Sequence, residues 1–235
     1  DKNPSGRRSI DNAIGEFKSN KVLNDRGDFF DPNRTKKPDV EADVVDDVKV
    51  DHGDFSEARQ SELSDITSER KKAIKEREAA RKKYGEDSDQ YKKAQQKVVN
   101  ESEKLGEVSS QAYMESHHPG SKKLKSDTPG GKQGEFDMVY EKDGEIFVVE
   151  SKGGSSRRGS RKTREGIRAE QGTPQYRDDI VKNMLESGDP DLIATARKIQ
   201  DAIDNDTLKY IQVSQKVNHS TGELVTTAKV TTFSN

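Results

Sequence analysis

The feature that most restricts the fold of this chain is a dipeptide, Asp143-Gly144, set between two β-rich runs, Glu135 to Tyr140 and Glu145 to Lys152. Asp-Gly is a favoured two-residue hairpin loop, because both of its residues tolerate the positive φ angles that a tight turn between paired strands needs. A loop at 143–144 dictates the register around it: Lys142 opposite Glu145, Tyr140 opposite Phe147, and Met138 opposite Val149. The next pair along is Asp137 with Glu150, and the period of two puts Lys152 on the face of Glu150. Phe136, Met138, Tyr140, Phe147 and Val149 are expected on the opposite face as core, with Val139, Ile146 and Val148 on the carboxylate face.

Two carboxylates opposed on a hairpin repel each other unless something offsets the charge. A divalent cation bridging Asp137 and Glu150 would offset it, and could also polarise a phosphodiester and acidify a bound water. Lys152 would then orient that water or stabilise charge developing on the phosphate. The plainer reading of the same spacing is a polar, exposed hairpin end at which Lys152 neutralises Glu150.

Composition narrows the chemistry. The chain has no cysteine, which excludes disulfides, thiol catalysis and cysteine-ligated zinc. His52, His117, His118 and His219 fall at no zinc-binding spacing. A metal here would be a hard cation held by carboxylates, magnesium or manganese. Only 28% of residues are hydrophobic, 37% are charged and the mean hydropathy is -1.13, so part of the chain is expected to be extended or exposed helix. No apolar run is long enough to span a membrane. The first residue is Asp, which suggests a piece cut from a longer parent protein.

Charge is distributed unevenly. From Asp28 to Asp54 nine acidic residues face four basic ones, whereas Lys152, Arg157, Arg158, Arg161, Lys162, Arg164 and Arg168 face only Glu165. A local basic cluster suits a phosphate-rich partner, and Arg157, Arg158, Arg161, Lys162 and Arg168 are its candidate nucleic-acid contacts.

Three segments follow from these patterns. Residues 1–54 read as an extended linker or lead-in, with a candidate strand around Val44 to Val50. Residues 55–104 read as a helical hairpin resembling a coiled coil. Leu63, Ile66, Ala73, Ala80 and Tyr84, and then Tyr91, Ala94 and Val98, recur at spacings of three and four, with Arg70 and Arg77 interrupting. Gly85 to Ser88 breaks the hairpin, and the second helix is expected to end at His117-His118-Pro119-Gly120. Residues 105–235 read as a mixed α/β (α+β) domain. Its order is the end of that helix, two strands, a Gly/Ser/Arg loop, helices opening at Thr173-Pro174 and Pro190, and a closing hairpin from Leu208 to Val217 and Glu223 to Phe233.

Asp137 followed by Glu150-Ser151-Lys152 resembles the D…(D/E)xK signature of the restriction-endonuclease-like, or PD-(D/E)xK, nucleases. Leu105-Gly106-Glu107 lies on a helix ahead of the first strand, where that superfamily often supplies a third metal-binding carboxylate. Gly153-Gly154, Gly159-Ser160-Arg161 and the run from Ala169 to Tyr176 resemble segments of nuclease domains at the C-termini of bacterial polymorphic toxins, including contact-dependent inhibition and Rhs-type effectors. The resemblance covers about residues 105–235. It implies a restriction-endonuclease-like core, catalytic Asp137, Glu150, Lys152, Glu107 and Gln171, and a magnesium or manganese ion on Asp137, Glu150 and Glu107. It also implies DNA more readily than RNA as substrate, a cognate immunity protein, a delivery apparatus, and action in the cytoplasm of a target cell. Phe136 stands where the Pro of the motif's name would be. Gln171 and Tyr176 are five apart, where one branch of the superfamily has four, so Tyr176 is expected to be a core anchor with Ile180 and Met184. Two other functions fit the residues: a non-catalytic adaptor that binds nucleic acid or a secretion apparatus, and a metal-independent ribonuclease using His117 or His118 with Lys152.

Overall fold

The computed structural model describes residues 37–124 and 134–235, together with the backbone of two short strands, β1 (Val22–Leu23) and β2 (Phe29–Phe30), which pair antiparallel. The rest of the expected lead-in before residue 37 lies outside the described residues. The described chain is α+β: a six-stranded mixed sheet with a helical hairpin on one face and two further helices on the other. None of the described helices is long and apolar enough to cross a membrane.

Strand β3 (Val44–Asp51) runs into a short 3-10 turn and then helix α1 (Glu57–Tyr84), whose N-cap Ser56 accepts from the Arg59 amide. Gly85, at φ 82°, ends α1, and Ser88 caps helix α2 (Asp89–His117) by accepting from the Tyr91 amide. The arginines that interrupt the apolar rhythm are buried rather than solvated. Arg70 donates to the Ser102 hydroxyl at 2.8 Å and Arg77 to Gln95 at 3.1 Å, so each ties α1 to α2 across the hairpin. At its base the hairpin belongs to the main core: Phe55, Leu63, Leu105, Val108, Ala112 and Met114 pack with Met138, Tyr140, Phe147 and Val149. Burial of the larger of those side chains, about 1.5–3 kcal/mol each, anchors the hairpin to the sheet.

After β4 (Lys122–Lys123) comes the central hairpin, β5 (Met138–Lys142) and β6 (Glu145–Gly153). Asp143 and Gly144 both have positive φ, 50° and 86°, as a type I′ turn demands. The ladder is the expected one from Lys142 opposite Glu145 to Met138 opposite Val149, but it ends there, and the expected pair of Asp137 with Glu150 is not part of it. One residue departs from the expected faces. Phe136 packs with Val139, Ile146 and Val148 rather than with Met138 and Tyr140. The strand begins only at Met138, so strict alternation does not extend back to 136.

The expected Gly/Ser/Arg loop contains a small antiparallel pair, β7 (Ser160–Lys162) and β8 (Arg168–Glu170). Thr173 then caps α3 (Pro174–Leu185) and Asp189 caps α4 (Pro190–Asp204), each with Pro in its first turn. β9 (Leu208–Val217) and β10 (Leu224–Phe233) close the chain. The sheet order is β3-β10-β9-β6-β5-β4. β6 and β9 are parallel, joined by the crossover that carries β7, β8, α3 and α4. The remaining neighbours in the sheet are antiparallel.

The end of the lead-in is integral to this architecture. β3 forms the sheet edge against β10, and residues 39–42 bind β8 through Asp39 N to Arg168 O, Glu170 N to Val40 O, and Ala42 N to the Glu170 carboxylate. The β7–β8 pair is thereby held over the α3/α4 side of the sheet. No periodicity in the sequence marks that contact, because the pairing spans more than 120 residues.

Candidate functional site

The site grows from the last residues of β6. Alternation sends Phe147, Val149 and Ser151 toward the helical hairpin, where Ser151 meets Ser110 of α2 at 2.8 Å, and sends Glu150 and Lys152 to the opposite face. Glu150 is 2% exposed, so a charged carboxylate there has lost its water and needs protein partners. Its Oε2 accepts from Gln171 Nε2 at 2.9 Å and its Oε1 from the Tyr210 hydroxyl at 3.1 Å, while Lys152 Nζ stands 4.0 Å away. Asp137 sits just ahead of β5, partly exposed. It accepts from the Ser151 amide at 2.8 Å and lies close enough to Glu150 for the two carboxyl groups to share a hydrogen bond.

This surrounding drives Glu150 toward its neutral form. Burial is the largest cause and the Asp137 charge the next, against a smaller opposing pull from Lys152; together they push the carboxyl up to about 8. Tyr210 is raised well above the ordinary tyrosine value by burial and then by Glu150. Tyr176 is raised for the same two reasons.

The shift has a direct consequence for stability. In metal-free protein the folded state binds the Glu150 proton more tightly than the unfolded state. Stability from this group is therefore complete below the unfolded value near 4.5 and is lost as pH rises through about 8. Thermal melts in chelator should show the wild type losing midpoint between pH 5 and 8 relative to Glu150→Gln, whose amide cannot ionise. Parallel curves for the two proteins would contradict this electrostatic reading.

Gln171 occupies the loop between β8 and α3, not a helix. Its side chain bridges two elements, accepting from the Gly159 amide at 2.7 Å while donating to Glu150. The five-residue offset to Tyr176 therefore does not separate them: Gln171 Nε2 also reaches the Tyr176 hydroxyl at 3.3 Å. Tyr176 is at once packed against the α3/α4 core and part of the polar shell around Glu150.

The third expected carboxylate behaves differently. Glu107 is partly buried on α2, one residue beyond Gly106, whose backbone abuts Lys152 and Gly153 from the hairpin side of β6. It makes no three-carboxylate group with Asp137 and Glu150. Among the described residues no three His, Cys, Asp or Glu side chains converge as metal ligands. Asp137 and Glu150 are adjacent hard oxygen donors and fit a divalent cation as a pair.

The arginines of the basic segment do not form one open patch. Arg158 reaches Glu170 at 3.3 Å and stacks over Phe233, Arg161 reaches Asp179 at 3.0 Å, and Arg168 donates to Ser160. Arg157 and Lys162 are exposed. A second basic feature crosses the sheet itself. Lys152 pairs in register with Ser214, Ser214 with Lys229, and Lys229 with Lys49, all on the Glu150 face. At about 4.8 Å per strand this row extends roughly 14 Å from the buried centre to the exposed sheet edge. Lys229 pairs with Asp47 at 2.8 Å.

Tyr210, Gln212 and Ser214 were not legible as site residues. They stand at alternate positions of β9 opposite Val148, Glu150 and Lys152. Two consecutive same-face polar residues in a strand that is otherwise buried were the available signal. The parallel partner lies about sixty residues away, and no turn fixes its register. The histidine-based alternative loses its geometry. His118 packs on Phe147 at 4.4 Å, on the hairpin face, five residues up β6 from Lys152. That is roughly 16 Å along the strand, with the sheet between them. No protein-family model, curated protein sequence or solved structure matches this chain.

Proposed function

We propose that this chain is a divalent-cation-dependent nuclease of the interbacterial toxin class, delivered into a target cell as part of a larger protein. One observation carries the reading: Asp137, Glu150 and Lys152 meet on one face at the end of a buried hairpin, with Glu150 held by Gln171 and Tyr210. Opposed carboxylates forced together by burial are costly in an ordinary core, and a bridging cation is the economical reason to keep them. A bound magnesium or manganese ion would polarise the scissile phosphate and acidify a water. The side chains have separate tasks. Asp137 and Glu150 supply anionic oxygens, Gln171 and Tyr210 fix the rotamer of Glu150, and Lys152 stabilises the charge gathering on the phosphate.

The lysine row from Lys152 through Lys229 to Lys49, with the exposed Arg157 and Lys162, supports a polyanionic substrate lying across β9, β10 and β3. DNA is the expected polymer, by the family resemblance, with RNA as the competing substrate. The same resemblance implies an immunity protein, an acidic binder near the basic loop or the active site. The test is to incubate the protein with plasmid DNA and with total RNA, each with magnesium and with chelator. Magnesium-dependent cleavage of DNA is expected. Cleavage that survives chelation would overturn the metal dependence, and no cleavage of either polymer would favour a binding adaptor.

A further inference from the structure

We propose that Gln212 contributes the third oxygen of the cation site, alongside Asp137 and Glu150; the proposal rests on the metal-dependent reading above. Gln212 pairs directly with Glu150 in the parallel β6–β9 ladder, so the two side chains stand side by side on one face. It is 7% exposed, and its Nε2 donates to the Ser214 hydroxyl at 2.8 Å, which turns the amide toward the Lys152 end of the site. Its Oε1 is buried and has no hydrogen-bond partner.

That orphan oxygen is the informative feature. Buried carbonyl oxygens in folded proteins are almost always paired, and one left unpaired calls for a ligand. On the same face both Glu150 oxygens accept from neighbours, and the Gln171 amide is engaged at both ends. The face thus presents two carboxylates and an unsatisfied carbonyl oxygen beside the single ammonium of Lys152. A hard divalent cation takes oxygens of both kinds, carboxylate and amide. A neutral third ligand also suits a site that already holds two carboxylates and one lysine.

The experiment is cation binding by the full chain, followed by titration calorimetry with magnesium and by the spin resonance of added manganese. Gln212→Leu keeps the volume and removes the oxygen. It should weaken manganese binding on the order of tenfold or more. In chelator its melting temperature should equal or exceed the wild type's, since the variant no longer buries an unpaired polar group. A residue with a merely structural role would not move these two readouts in opposite directions. Gln212→Glu should tighten manganese binding. Wild-type affinity in folded Gln212→Leu or Gln212→Glu would overturn the proposal. A wild-type chain that binds neither cation would instead overturn the metal-dependent reading on which the proposal rests.

Discussion

Replacing Lys152 with alanine should lower the rate of phosphodiester cleavage by roughly 10²–10³-fold, the usual effect of removing one preorganised donor from a site where negative charge develops. The geometry argues for a large effect. The Lys152 side chain is 12% exposed, and its ammonium sits 4.0 Å from Glu150 on the face where the two carboxylates meet. Loss of the ammonium acts twice. It removes the cation facing the phosphate, and it removes the charge that opposes protonation of Glu150, so a carboxyl already raised by burial and by Asp137 holds its proton still more tightly. The loss should fall on kcat at saturating magnesium, with the thermal midpoint little changed. Cleavage by folded Lys152→Ala within about threefold of wild type would remove Lys152 from the chemistry.

The second large effect concerns the next residue. Gly153→Ala should destabilise the fold by about 3 kcal/mol or more, as expected of overpacking where neither neighbour can yield. For a chain of this size that corresponds to a fall in melting temperature of about 6–12 °C. A Cβ at Gly153 would lie 1.8 Å from the carbonyl oxygen of Ser102 and 2.7 Å from the amide nitrogen of Gly106, both backbone atoms of α2. The contact is reciprocal, since a Cβ on Gly106 would lie 2.8 Å from the Gly153 nitrogen. Two glycines facing each other let the helix backbone touch the strand backbone directly beneath Lys152. The scaffold and the site are therefore joined there, and Gly153→Ala should lose activity and stability together, whereas Lys152→Ala loses activity alone. Calorimetric melts of the two variants decide it; an unshifted midpoint for Gly153→Ala would mean that α2 does not abut β6 at this point.

Legibility in the sequence followed the range of the interaction. The β5–β6 register was readable because a two-residue turn leaves the chain no freedom to slip. Helix boundaries were readable at Gly85 to Ser88, Thr173-Pro174 and Pro190, because caps and first-turn prolines act within three residues of themselves. Arg70 and Arg77 were misleading for the complementary reason. As single residues they break an apolar stripe, and only a second helix carrying Ser102 and Gln95 at the right height makes them interior. Gln171 and Tyr176 show the same dependence: their spacing is wrong for one helical face, yet a loop bend brings them together at 3.3 Å.

Asp137 lies just outside the ladder; the opening dipeptide and the alternation after it determined, with no tertiary information, that Lys152 shares the face of Glu150. A side-chain period of two and a turn of fixed length suffice for that. Only the tertiary structure decided which other groups complete the centre. Tyr210 and Gln212 come from a parallel strand whose register no turn encodes, Gln171 from a loop held by the 39–42 segment through β8, and the lysine row from four strands aligned by the whole sheet. Glu107, whose candidacy rested on its place in the order of elements, belongs to a helix packed on the far face of β6. Side-chain direction along a strand is a local property of the backbone; which strands lie beside it is settled by where the two cores, formed from distant segments, can close.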